Sequence, residues 1–149
     1  MAIRRLRKEL EEMRTYGVTG VQDASPRDDN LFTWSAKLEG PLHSPYEGGV
    51  FRVDITFPET YPFQAPKLKF RTCIYHPSIS KASGEICSAI IEEGWKPNKS
   101  VSWVLRTVLE VLQKPSSSSP LEADVAKQFE RYPNEFRRTA KEWTKMYAD

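Results

Sequence analysis

At 149 residues the chain has the length of one ordinary domain, residues 1–149, long enough to bury a substantial core. Hydrophobic residues make up 39% and charged residues 28%, which excludes a largely disordered chain. Twenty-two basic against 20 acidic residues leave +2, which argues against a nucleic-acid partner, and no apolar run approaches the ~20 residues of a membrane span.

The charged N-terminus is not followed by an apolar stretch, so no secretory signal is expected. Two cysteines, Cys73 and Cys87, are too few for a disulfide framework and suit the reducing cytosol or nucleus. Ile3, Leu6, Leu10 and Met13 recur at three- and four-residue steps and predict a first helix ended by Tyr16-Gly17. Arg4, Arg5, Arg7 and Lys8 form its basic face. Such a face is usually only solvated.

Alternation predicts three strands: Phe32, Trp34, Ala36, Leu38; then Phe51, Val53, Ile55, Phe57; then Leu68, Phe70, Thr72. A weaker strand is expected over 18–24. Short breaks between them favour an antiparallel meander. From 73 to 100 no periodicity holds, and so long an irregular stretch is usually functional. A helix capped by Ser100 or Ser102 then carries Val101, Val104, Leu105, Val108 and Leu112 inward, stopping at Lys114-Pro115. Leu121, Val125 and Phe129 suggest a short helix. Asn134 is the expected cap of a last one with Phe136, Ala140, Trp143 and Tyr147 inward. The class is α+β, with helices grouped apart from the sheet.

The irregular stretch holds the candidate chemistry. Cys87, in Ser83-Gly84-Glu85-Ile86-Cys87-Ser88, suits a loop nucleophile, although a free cysteine is more often a buried small hydrophobe. Cys73, ending a strand, is expected to be such a buried thiol. A Cys–His pair of Cys87 with His76, or a zinc site from Cys73, His76, Cys87 and His43, lacks the supporting pattern. His76-Pro77 reads as a fixed turn with its imidazole bonded to backbone. No glycine-rich phosphate loop is present, so direct use of ATP is not expected. Tyr61-Pro62-Phe63 and Trp95-Lys96-Pro97 are rigid aromatic turns, for which core packing is the default.

These pieces occur in an order that resembles the ubiquitin-conjugating enzymes (class E2) along nearly the whole chain. The matching residues are Leu31-Phe32-Thr33-Trp34, Gly40-Pro41, Tyr46-Glu47-Gly48-Gly49-Val50-Phe51, Phe57-Pro58, Tyr61-Pro62-Phe63 and Pro66. Ile74-Tyr75-His76-Pro77, Gly84-Glu85-Ile86-Cys87, Trp95-Lys96-Pro97 and Glu142-Trp143-Thr144 follow. The resemblance implies a four-stranded antiparallel meander flanked by helices, and a cysteine-dependent acyltransferase. Cys87 would take ubiquitin's C-terminus as a thioester from an activating enzyme and pass it to a ligase cysteine or a lysine. No metal or cofactor is implied, since the activating enzyme uses the ATP. Arg5, Pro62, Phe63, Lys96 and Pro97 would face ligases, and the basic first helix the activating enzyme.

Departures are also visible. The family's His-Pro-Asn reads His76-Pro77-Ser78, so Ser78 stands at the oxyanion-support position, one residue farther than usual from Cys87. Two positions often acidic in the family read Ala89 and Ser119, which suggests ligases of the thiol-accepting type. A position that some members use for non-covalent ubiquitin docking reads Asp23. A silent scaffold of the same fold, or a carrier of another ubiquitin-like modifier, are the rival readings.

Overall fold

The computed structural model describes residues 1–148. Helix α1 spans Ala2–Thr15 and buries Ala2, Leu6, Glu9 and Met13. The buried stripe is therefore rotated from the expected one. Ile3 is exposed, and an acidic residue, Glu9, takes a core position. Gly17 closes the helix with φ +62, donating its N–H to Met13 O at 2.9 Å.

Four strands follow: β1 Val21–Arg27, β2 Asn30–Glu39, β3 Val50–Thr56 and β4 Lys67–Phe70. They pair in chain order, each antiparallel to the next. The inward face carries Trp34, Ala36 and Leu38 from β2, Phe51, Val53 and Ile55 from β3, and Leu68 and Phe70 from β4. Two expected strand limits move. Val18 belongs to a turn, its carbonyl accepting from Val21 N, so β1 starts at 21 and runs through a bulge at Asp23, φ +54. Thr72 lies beyond β4, where its hydroxyl accepts from Arg52 N at 2.9 Å.

The segment 73–100 is not wholly irregular. It contains the short helix α2, Ser88–Glu92, and isolated bridges join His76 to Ile79 and Ile79 to Ile86. Gly84 anchors it to the sheet: Phe70 N donates to Gly84 O at 2.8 Å. A β-carbon at Gly84 would stand 1.9 Å from Phe70 O, and its φ is +80, so only glycine fits this close approach.

Helix α3, Val101–Gln113, buries the expected face and is capped by Ser100 Oγ accepting from Trp103 N. Helix α4, Ala123–Arg131, starts after Leu121, which is exposed rather than part of its apolar face. Helix α5, Pro133–Tyr147, begins with proline in its first turn and Tyr132 as the cap, so Asn134 is not the cap. Its buried residues Phe136, Ala140 and Thr144 step by fours. Tyr147 falls off that stripe and is exposed, and Trp143 is half-buried. Among the described residues no helix is long and apolar enough to cross a membrane.

Candidate active site

Cys87 is the N-cap residue of α2 and is partly exposed. Its amide donates to Ser78 O at 2.9 Å, and its carbonyl accepts from Ile90 N at 3.1 Å. The thiol therefore sits on backbone held from both sides. Cys73 departs from expectation. It is exposed, not buried, because β4 ends at Phe70 and the chain leaves the sheet before position 73.

The segment opposite Cys87 is tied at every residue. Tyr75 O accepts from Tyr46 Oη at 2.6 Å. Pro77 O accepts from both Leu121 N at 2.9 Å and Glu122 N at 3.1 Å. Ser78 O receives the Cys87 amide, while Ser78 N donates to His76 Nδ1 at 2.9 Å. With Nδ1 accepting, the proton lies on Nε2, which donates to Val111 O at 3.0 Å. His76 has no exposed surface, and burial pushes its imidazole down to about 4. It is thus a neutral strut between the active-site segment and α3, not a base for Cys87. A Cys–His hydrolytic pair is excluded by this geometry. Among the described residues no group of three or more His, Cys, Asp or Glu side chains is placed to hold a metal ion.

Ser78 is 3% exposed. What it gives to Cys87 is its backbone, and its hydroxyl has almost no surface to present to an oxyanion. Ala89 and Ser119 are half-buried and bring no charge. Ser119 lies on the loop held at Pro77 two residues later. The Glu122 carboxylate on that loop is engaged by Lys81 N at 2.6 Å.

A second cluster forms around Phe63, which is 65% exposed. Pro62 is buried, and its carbonyl accepts from Trp95 Nε1 at 2.9 Å. Pro62 was expected on an exposed contact surface; it is buried instead and offers no contact area. The Trp95 ring lies 5.6 Å from that of Tyr61 and 6.0 Å from that of Trp103, joining its own turn to the 61–63 turn and to α3. Phe63 is thereby brought to the same side as the exposed Lys96 and Pro97. Arg5 is half-buried, its guanidinium donating to Glu9 Oε2 at 2.7 Å, to Pro97 O at 2.9 Å and to Lys99 O. It fixes the 96–99 turn to α1, and Arg4, Arg7 and Lys8 in the first half of that helix are exposed.

Glu9 is the residue that the sequence reading missed. It is 4% exposed and also accepts from Tyr61 Oη at 2.5 Å and Val101 N at 2.7 Å. Its signal was its spacing: Leu6, Glu9 and Met13 step by three and four, so a carboxylate stands where the helix faces inward.

A four-stranded antiparallel meander, with a helix before it and helices after it, thus presents a partly exposed cysteine on a backbone-pinned loop. The ubiquitin-conjugating enzyme family model matches residues 5–144, and the chain belongs to that family. It is 44% identical over 147 residues to ubiquitin conjugating enzyme E2 B of Dictyostelium discoideum, across 99% of this chain and 98% of that protein. It superposes on a Toxoplasma gondii ubiquitin conjugating enzyme E2 domain with a TM-score of 0.91 at 36% identity, covering all of both chains.

His76 generates a pH dependence. Its folded-state affinity for a proton is depressed, so between the ordinary histidine value near 6.5 and about 4 the unfolded chain takes up a proton that the folded chain does not. Stability attributable to His76 is intact above pH 6.5 and falls as the pH drops through that window. Urea unfolding at pH 7 and pH 4.5 should show a loss on the order of 2 kcal/mol greater in the wild type than in His76→Gln. Equal losses would mean that the imidazole is not buried neutral.

Proposed function

We propose that in this ubiquitin-conjugating enzyme family member, a transferase that works with ubiquitin, an activating enzyme and ligases, Cys87 is the residue that carries ubiquitin. The observation that supports this is the partly exposed Cys87 on a loop whose backbone is bonded to Ser78, beside a segment tied to Tyr46, Val111, Leu121 and Glu122. The Cys87 thiolate attacks the carbonyl carbon of ubiquitin's C-terminal thioester on the activating enzyme. A new carbon–sulfur bond forms, and the activating enzyme's sulfur leaves and recovers a proton. A ligase cysteine or a lysine amine then displaces Cys87 in the same manner. This chemistry calls for no metal or cofactor on the carrier itself.

Ser78 serves in this reading as a positioning residue through its backbone. Phe63, Lys96 and Pro97 form the ligase surface, with Pro62, Trp95 and Arg5 holding it in shape. Arg4, Arg7 and Lys8 suit the activating enzyme.

Charging with ATP, ubiquitin and activating enzyme should give a thiol-sensitive adduct that Cys87→Ala abolishes and Cys73→Ala retains. Cys87→Ser should form slowly an ester that resists thiols. Because Cys73 is exposed, it is a fair competitor, and loading on Cys73 would overturn the assignment.

Phe63→Ala should reduce ligase-stimulated transfer by about 1–3 kcal/mol of binding, the range of a good aromatic anchor, with the thermal midpoint nearly unchanged. An unfolded variant would place Phe63 among the core residues instead.

The acceptor is the finer part of the proposal. A lysine arrives as an ammonium with an ordinary pKa near ~10.4, whereas a cysteine thiol near ~8.5 is the stronger nucleophile at neutral pH. Ala89 and Ser119 supply no carboxylate to hold the amine and assist its proton loss. Charged protein, with ATP quenched, should discharge faster to free cysteine than to free lysine, so ligases that take ubiquitin on their own cysteine suit it. Ala89→Asp with Ser119→Asp should raise the lysine rate selectively. Rapid lysine discharge by the wild type without a ligase would contradict this preference.

A further inference from the structure

We propose that the groove between α5 and the turn over 43–48 docks an acidic peptide segment of a partner protein. The groove is open and encloses about 1060 Å³. Arg137, Lys141 and Lys145 descend one wall at four-residue steps, with Arg138 beside them. All four are exposed, and none forms an ion pair with another described residue.

The opposite wall is built in advance. Ser44 Oγ donates to Pro41 O at 2.6 Å, Tyr46 N donates to Ser44 Oγ, and His43 N donates to Glu47 Oε1 at 2.6 Å. Arg137 Nη2 crosses to His43 O at 3.1 Å, and Thr144 Oγ1 donates to Pro45 O at 3.3 Å. The two walls are therefore stitched together before anything binds, so little ordering is needed on docking.

Charge selects the occupant. The cations outnumber the two lining acids, Glu47 and Glu142, and one Glu47 oxygen already serves His43. Four helical residues rise ~6 Å, close to the ~6.6 Å that separates alternate residues of an extended strand. Carboxylates at every second residue of an extended peptide thus stand opposite Arg137, Lys141 and Lys145 in sequence. An unbroken phosphate backbone would press anions against Glu47 and Glu142 as well, which disfavours nucleic acid.

Location gives the surface its use. Gln113 Nε2, at the C-terminal end of α3, donates to Leu42 O, whereas Arg5 reaches Pro97 and Lys99 beside its N-terminal end. Thirteen helical residues separate these ends by ~20 Å. A peptide in the groove therefore leaves Phe63, Lys96 and Pro97 uncovered, so a partner held by its acidic segment and a ligase can be bound together. This inference stands on the groove alone and does not depend on Cys87.

The test is fluorescence anisotropy of the full chain with a short labelled peptide alternating Glu and Ala. Comparators are the same peptide with Gln for Glu and a single-stranded oligonucleotide of equal charge. The Glu peptide should bind saturably at low salt, weaken on the order of tenfold at physiological salt, and fail to bind in its Gln form. Lys141→Glu with Lys145→Glu should weaken it by on the order of tenfold or more while keeping the native circular dichroism melt and Cys87 loading. No saturable binding at low salt, undiminished binding by the folded double variant, or tighter binding of the oligonucleotide would each overturn the proposal.

Discussion

A single buried carboxylate organises the end of this molecule that carries the exposed Phe63. Glu9 stands on the inward face of α1 and accepts from Arg5 on its own helix, from the Tyr61 hydroxyl and from the Val101 amide that opens α3. A carboxylate taken out of water without partners would cost several kcal/mol, so its three donors, one of them a guanidinium, are what make the position tolerable. The same contacts fix the relative placement of three otherwise separate pieces of chain. Burial, reinforced by Glu9, pushes the Tyr61 hydroxyl far above its ordinary range, so it remains a donor. Arg5 carries the connection on to the 97–99 carbonyls, and Trp95 links that turn to Pro62. Exposure of Phe63 follows from this frame: with Tyr61 and Pro62 held inward, the next side chain is left in water.

The surroundings of Cys87 follow a different logic. Around Cys87 the chain supplies rigidity in place of acid–base groups. His76 is neutral, buried and bonded through both ring nitrogens, and the backbone of 75–78 is tied to Tyr46, to the 121–122 amides and to Cys87 itself. Such a site suits the carrier role proposed for Cys87. A carrier must accept one thioester and yield it to a chosen acceptor, and a base poised beside the sulfur would promote loss to water. In that role the uncharged Ala89 and Ser119 extend the same restraint to amines.

Much of this was readable in the sequence because the signals were local. The strands of the sheet's buried face alternate without interruption, and Val101 to Leu112 hold a helical period, so both were placed to within a residue or two. The order of short motifs was specific enough to indicate the family. What escaped depends on contacts between distant residues. Glu9 counts as a solvated acid until Tyr61 and Val101 arrive beside it. Phe63 is the more apolar of two adjacent residues, yet Pro62 is the one covered, beneath the Trp95 indole that donates to its carbonyl. Cys73 was misjudged because the strand before it ends two residues earlier than its alternation suggests. α2 is too short to carry a period, and the cap of α5 moved because Pro133 favours the first turn.

Glu9 locks α1, the 61–63 turn and the 95–101 segment into one unit that the sheet does not need. Native-state hydrogen exchange on Glu9→Gln measures this directly. The result expected is faster exchange of amides in 61–64 and 95–101, Val101 above all, with the β2 and β3 amides keeping wild-type protection relative to global unfolding. Uniform loosening across sheet and turns, or unchanged exchange at Val101, would contradict it.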